Sequence, residues 1–283
     1  MLGLEDLEIG LVFGAREDAR ATLEHVKSFG LRAGQLVFPG GFSLRGADQV
    51  WDNALRVARF TPVTLVCSYE GEDYADIPTV QGTVGLVPES TRAERVARTK
   101  AVADVGKYLG IDSVTCHIGF VPEDEHTPLY AEIRDVARDI CDHCAKNGQN
   151  FALETGQEPA HVLLRFIEDV ARPNLKINFD PANMILYGTG DPIEALDLLA
   201  AHIVSVHCKD GDWPPRDEPN ALGKERALGE GSVGIDAFIH KLKQIGYRGV
   251  LSIEREEPIH SVRDADIRKA VHLLKSLTGR KTA

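Results

Sequence analysis

The segment NFALETGQEPAHVLLRFIEDVARPNLKINFDPAN, Asn150 to Asn183, carries a strand, a helix and a second strand in that order. Asn150–Glu154 and Leu175–Phe179 are short, β-rich and nearly continuous in apolar residues, as strands covered on both faces are. Between them Val162, Leu163, Phe166, Ile167 and Val170 recur at helical spacing and make one apolar stripe. A strand, a crossover helix and a strand define a parallel pair.

The same unit repeats in both directions. Further strands are expected at Leu7–Phe13, Gln35–Phe38, Pro62–Tyr69, Ser113–Ile118, Ile203–His207 and Gly249–Glu254. Thr91–Leu109 reads as a helix, with Val96, Val102, Val105 and Leu109 on one face, and so does Leu129–Lys146. Asp191-Pro192 marks a helix start, and Ser90 followed by Glu94 marks another. Gly30, Gly110 and Gly246 follow helix ends, where a left-handed cap favours glycine. About eight βα units, roughly 35 residues each, predict an α/β fold, a single (β/α)8 TIM barrel over residues 1–283. An open doubly wound sheet would show a G-x-G-x-x-G after the first strand, and none is there. The longest irregular segment, 210–232, is rich in Pro, Gly and charge and is expected to act as a lid-like loop. The Gly-rich segment Pro39–Gly46 is a second lid candidate.

Composition narrows the class. Of 283 residues, 43% are hydrophobic and 27% charged, which excludes wholesale disorder. No apolar run approaches the roughly 18 residues of a membrane span. The opening MLGLEDLEIG lacks a basic region ahead of an apolar one, so no secretory signal is expected. The net charge of −11 disfavours nucleic acid as a partner. Five cysteines, an odd number in a chain large enough to fold without disulfides, point to a reducing, cytoplasmic setting. Cys141 and Cys144 form C-x-x-C around His143. The pair sits late in a helical stretch, which favours ordinary helix residues over a redox or metal role.

In a parallel barrel the chemistry lies where strands end. Five consecutive strands end in His117, Glu154, Asp180, His207 and Glu254. Glu154, Asp180, His207 and Glu254 form a hard, oxygen-rich set suited to one divalent cation, Mn²⁺, Mg²⁺ or Co²⁺, with Zn²⁺ also compatible. Without a cation, three converging carboxylates would repel one another and raise their pKa values. Each residue also has a bland reading. Asp180 before Pro181 is a good N-cap, and a lone strand-end His is more often structural.

On these residues the chain resembles the xylose isomerase-like TIM barrel superfamily of sugar and sugar-phosphate isomerases and epimerases. The resemblance is carried by ALETGQE (Ala152–Glu158), NFDPANM (Asn178–Met184), VSVHCKD (Val204–Asp210), LGEGSVGIDAF (Leu228–Phe238) and GYRGVLSIERE (Gly246–Glu256). The first half matches in its βα rhythm and in His117-Ile118-Gly119. The resemblance implies one divalent cation held by Glu154, Asp180, His207 and Glu254. It also implies that Glu154 and Glu254 serve as the catalytic acid/base pair, removing and returning a proton α to a carbonyl. A homodimer or homotetramer is expected on the same ground. The chain departs from the pattern at Asn183, where many members carry a His that binds a second metal or substrate; this favours a single-metal site.

Substrate contacts are expected from His117, Glu158, Asn183, Lys209 and Arg216. Each has an alternative: a buried structural His, a helix-dipole carboxylate, a lysine paired with Asp210, a solvated loop arginine. Arg226, Glu230, Trp213 and Phe42 are lesser candidates at the rim. The expected function is a divalent-metal-dependent isomerase or epimerase acting on a sugar or sugar derivative. A dehydratase or lyase on a keto-sugar or polyol is the alternative, since the same base and metal can also expel a β-hydroxyl. An abasic-site endonuclease shares the barrel but needs a three-zinc cluster with more His than this chain offers. A non-catalytic binding protein is disfavoured by the intact ligand set. No P-loop and no G-x-S-x-G elbow is present.

Overall fold

The computed structural model describes residues 7–280. In chain order the elements are β1 (Ile9–Gly14), α1 (Ala19–Lys27), β2 (Ala33–Phe38), α2 (Ala47–Ala58), β3 (Thr61–Cys67), α3 (Ile77–Thr83), α4 (Glu89–Leu109) and β4 (Ser113–Cys116). There follow α5 (Pro128–Lys146), β5 (Asn150–Glu154), α6 (Ala160–Val170), β6 (Leu175–Phe179), α7 (Pro181–Tyr187), α8 (Pro192–Leu199) and β7 (Ile203–Cys208). The chain ends through β8 (Asp210–Asp212), β9 (Lys224–Arg226), α9 (Ile235–Gln244), β10 (Leu251–Ile253) and α10 (His260–Thr278). Strands β1 to β7 and β10 are parallel neighbours and close on one another as a barrel, as the alternating pattern predicts.

Two differences from the sequence expectation concern loops. The segment 210–232 is not wholly irregular: β8 and β9 pair antiparallel, with Asp210 opposite Arg226 and Asp212 opposite Lys224. Both strands are only three residues long, too short to show an alternating pattern in the sequence. The short helices α3 and α7 are likewise inserted in the loops after β3 and β6.

Strand alternation sorts the side chains. In β6, Phe179 points outward and stacks on Phe238 of α9, ring centroids 6.1 Å apart, while Asn178 points inward. The α6 stripe Val162, Leu163, Phe166, Ile167 and Val170 is buried as predicted, and Phe166 meets Tyr130 of α5 edge-on. Burying a side chain of this size is worth roughly 1.5–3 kcal/mol. Cys141 and Cys144 lie on the buried face of α5, where burial pushes the Cys144 thiol up to about 12 and Cys141 further. All five cysteines are buried and free. The predicted caps Gly30, Gly110 and Gly246 take φ of +78°, +72° and +79°.

Three arginines spaced along α4 hold the loops at the barrel mouth. Arg98 donates to the carbonyls of Pro39, Phe42 and Ser68. Arg95 donates to those of Glu70, Thr83 and Gly85, and Arg92 to those of Leu86 and Val87. Carbonyls that would otherwise need water are satisfied from one helix face. No helix among the described residues is long and apolar enough to cross a membrane.

Candidate metal centre

Each strand presents its inward residues at every second position. Ala152 and Glu154 share the inner face of β5, Ser205, His207 and Lys209 that of β7 and its exit, and Ser252 and Glu254 that of β10 and its exit. The inward residue two positions before each of Glu154, Asp180, His207 and Glu254 is small or polar (Ala152, Asn178, Ser205, Ser252), which leaves these side chains room to converge. One ligand atom from each of Glu154, Asp180, His207 and Glu254 lies within 4.8 Å of the others. Among the described residues this is the one group of His, Cys, Asp and Glu so assembled.

Asp180 caps a helix with one oxygen and turns the other into the cluster. Its Oδ1 accepts from the Asn183 amide at 3.0 Å and caps α7, while its Oδ2 faces His207 Nδ1 at 3.3 Å. Its backbone is pinned to β5 by Thr155, whose hydroxyl donates to the Asp180 carbonyl and accepts from the Asp180 amide.

His207 is fully buried, with Nδ1 3.5 Å from Glu154 Oε1 and 3.1 Å from Glu254 Oε2. Its Nε2 lies 2.9 Å from Gln35 Oε1 and 3.0 Å from Asn178 Nδ2, so both amides fix the ring and Nδ1 is the atom turned to the cluster. Gln35 is held in turn by a reciprocal amide pair with Asn178 across the barrel, and Ser205 donates to Asn178 Oδ1 at 2.6 Å. Gln35 and Asn178 were missed as site residues. The signal was an uncharged polar side chain at an inward position of the strand, in AGQLVF and in LKINF. This support fixes the ring orientation as outer residues do in metal centres.

The electrostatics fit a cation. Burial raises the Glu154 carboxyl, partly offset by His117 and His207, and the carboxylates of Glu254 and Asp180 raise it further. Burial would lower His207, but Glu254, Glu154 and Asp180 outweigh it and hold the imidazole well above its ordinary value. Burial likewise works against the Glu254 charge, and Lys209 and His207 overcome it, holding that carboxyl well below the usual range. Glu254 Oε2 is buried and takes no aligned hydrogen bond, although His207 Nδ1 and Lys209 Nζ each lie 3.1 Å away. A buried carboxylate oxygen without a donor in line, among three carboxylates and one imidazole nitrogen, is a donor set for a hard divalent ion.

The other expected contacts divide into near and far. His117 Nε2 lies 3.4 Å from Glu154 Oε1, and its Nδ1 lies 3.3 Å from Gln157 Nε2. The Tyr74 ring sits 5.9 Å from the His117 ring, and Gln157 also reaches Tyr187. Asn183 Nδ2 donates to Glu154 Oε1 at 3.0 Å. Lys209 is buried between Asp180, Glu254 and Glu256. Glu158 is buried, accepts from the Val121 amide at 2.9 Å, and is raised by burial to about 7. Arg216 is not brought to this cluster. It stands exposed in the β8–β9 connection. Arg226 pairs with Asp212 across the hairpin, and Glu230 lies near Lys269 on the surface. Trp213 is exposed, and Phe42 packs on Phe38.

The segment 210–232 is tied down at both ends. Asp210 accepts from the amides of Gly211, Gly229, Gly231 and Val233. Gly231 approaches so closely that a Cβ there would collide with the Asp210 carboxylate and the Gly211 amide. Further along, Glu225 accepts from Arg255 at 2.6 Å and from the Glu256 amide at 2.9 Å. The turn between β8 and β9 reaches the loop after β3 through the Ile77 amide and the Asn220 carbonyl, 2.9 Å apart.

The sequence matches the family described as Xylose isomerase-like TIM barrel over residues 23–277. A xylose isomerase domain protein from Planctomyces limnophilus is 44% identical, with a TM-score of 0.90 over 96% of this chain and 97% of that one. A xylose isomerase-like TIM barrel protein from Mycobacterium smegmatis, solved with magnesium, is 16% identical, with a TM-score of 0.71 over 99% of each chain. D-psicose 3-epimerase from Clostridium cellulolyticum has the same barrel at 13% identity and TM-score 0.69, covering 96% of this chain and 99% of that one. So has the probable 3-DHS dehydratase AsbF from Bacillus anthracis, at 15% and 0.66, covering 93% and 99%. Below 25% identity these likenesses show the fold alone. The uncharacterized protein MJ1311 of Methanocaldococcus jannaschii is 29% identical over 57% of this chain and 56% of its own length. The chain spans about half the length of the curated relatives it matches.

Proposed function

The chain belongs to the xylose isomerase-like TIM barrel family, and from that premise we propose that it is a divalent-metal-dependent isomerase or epimerase of a sugar or sugar derivative. The observation that carries the proposal is the convergence of Glu154, Asp180, His207 and Glu254 within 4.8 Å at the ends of β5, β6, β7 and β10. These residues would hold one ion of the Mn²⁺, Mg²⁺ or Co²⁺ type. When bound, it would polarise a substrate carbonyl and neutralise the oxyanion that forms on removal of the neighbouring proton.

The chain's own residues do the rest. Glu154 and Glu254 approach the centre from β5 and β10, which are separated by β6 and β7 in the barrel. One carboxylate takes the proton α to the carbonyl and the other returns one from its own side, which inverts or moves the stereocentre. His117 and Asn183 hold Glu154 Oε1, so the working carboxylate does not swing away. Tyr74, Tyr187 and Gln157 border the same space and offer apolar faces and amide donors to a polyhydroxylated substrate.

A second reading, dehydration, has one observation in its favour. His117 is a third group able to pass a proton beside Glu154, and loss of a β-hydroxyl needs a proton donor. Product mass separates the two readings, since isomerisation conserves it and dehydration removes one water. A cytoplasmic location and a homo-oligomeric state accompany the proposal as expectations.

The decisive experiment has two parts. Purified protein is titrated with Mn²⁺ by calorimetry, and loaded protein is incubated with a panel of ketoses in D₂O. One equivalent of Mn²⁺ and deuterium washed into at least one sugar are expected, both lost in Glu154→Gln. Protein that takes up no divalent ion and exchanges no proton refutes the reading.

A further inference from the structure

Lys209 leaves β7 two residues beyond His207, so its side chain enters the same inner face. It is only 3% exposed. Its Nζ lies 3.1 Å from Glu254 Oε2 and 3.7 Å from Asp180 Oδ2, both on proposed metal ligands. On the outer side it lies 3.2 Å from Glu256 Oε1, whose side chain is 62% exposed at the rim. It also donates to Asn183 Oδ1 at 3.4 Å. Apart from His207, no other cationic side chain among the described residues pairs with Asp180 or Glu254.

Charge arithmetic gives this placement a meaning. Glu154, Asp180 and Glu254 bring three negative charges to the centre. One divalent ion and one ammonium together cancel them; two divalent ions with the ammonium would leave the centre strongly positive. The ammonium already sits 3.1 Å from Glu254 Oε2, on a carboxylate that the ion would also need. The ammonium would therefore compete for that carboxylate and stand as a close like charge to the ion. At such separations, in a site screened from water, like-charge repulsion exceeds the thermal energy several-fold. Glu256 pulls the ammonium outward, away from Glu254.

We infer that Lys209 is a built-in counter-cation that limits the centre to one divalent ion and weakens its binding, with Glu256 setting how far the ammonium withdraws. This rests on the metal-centre reading above and goes beyond it, because the sequence places Lys209 only at substrate or beside Asp210. Lys209 is here a positioning and specificity-determining residue, acting through the occupancy of the centre.

The test is Mn²⁺ binding by calorimetry on chelator-stripped full-length protein, with bound manganese counted by elemental analysis. Four proteins are compared: wild type, Lys209→Met, Glu256→Gln and the double variant. Lys209→Met is expected to bind Mn²⁺ about tenfold or more tightly and to exceed one equivalent at saturating metal. Glu256→Gln is expected to bind more weakly than wild type, and most of that loss disappears when Lys209 is already Met. Unchanged or weaker binding in Lys209→Met overturns the inference, since a lysine that merely orients Glu254 would behave so. An equal Glu256→Gln loss in both backgrounds also overturns it, because Glu256 would then act on the ion directly. If Lys209→Met does not fold, Glu256→Gln alone still decides, as tighter or unchanged binding refutes the inference. Wild type that binds no Mn²⁺ is a different failure, that of the metal centre itself.

Discussion

Asp210 offers a sharp test of how the segment 210–232 is held over the barrel. Its carboxylate is buried, and each oxygen accepts two backbone amides: Gly211 and Val233 on Oδ1, Gly229 and Gly231 on Oδ2, all at 2.9–3.1 Å. Asp210→Asn keeps the shape and removes half of the acceptors. Whichever way the new amide is turned, its nitrogen faces two N–H groups. Val233 is buried, whereas Gly229 is exposed and Gly231 half-buried, so the nitrogen settles toward the two glycines, where water can substitute. Two hydrogen bonds to a charged group, worth about 1.5–3 kcal/mol each and partly replaced by water, give an expected loss of about 2–4 kcal/mol. Asp210→Ala strips all four amides and is expected to lose more. The assay is urea unfolding followed by circular dichroism, with hydrogen exchange read at single amides. The Gly229 and Gly231 amides should lose protection in Asp210→Asn while Val233 keeps it. An Asp210→Asn protein as stable as wild type, with Gly231 still protected, would refute the view that this carboxylate anchors the segment.

Two further outcomes follow from the same geometry. Gln35→Leu removes the acceptor at His207 Nε2 without touching a ligand, and Mn²⁺ affinity is expected to fall by about 10–100-fold; equal titration curves for variant and wild type would show that Gln35 does not orient the ring. Glu158 is raised by burial to about 7 from an ordinary 4.5, so between those values the folded chain keeps a proton that the unfolded chain has released. Stability attributable to this group therefore falls as pH rises from about 4.5 to about 7, by on the order of 3 kcal/mol, and is level above. Glu158→Gln keeps an acceptor for the Val121 amide and should abolish that fall, gaining over wild type at pH 8 but not at pH 4.5. Parallel urea midpoints for the two proteins across that range would contradict it.

Local patterns carried the barrel. The strands Asn150–Glu154 and Leu175–Phe179 were legible to the residue, because apolar runs bounded by Gly, Pro and polar residues are a short-range signal. The last barrel strand was read as Gly249–Glu254 and pairs only over Leu251–Ile253, a difference at its ends where pairing depends on neighbours. The four residues of the cluster were legible as strand-end residues, because a strand end has a known place in this architecture. Asp180 is instructive, since one carboxylate oxygen caps α7 while the other faces His207 in the cluster. Arg216 shows the limit. A charged residue in a long loop has no periodicity to place it, and the structure leaves it outside the cluster.

What the sequence determined by itself was therefore the order of strands and helices and the residue type at each strand end, both consequences of short-range periodicity. Only the tertiary structure decided which side chains meet. The Gln35 and Asn178 amides join strands on opposite sides of the barrel, 143 residues apart. Lys209 faces Glu254 and Glu256 rather than the adjacent Asp210, whose carboxylate is consumed by four backbone amides. Such pairings follow from closing the sheet, which brings distant strand ends to within a few ångströms. No local propensity encodes that distance.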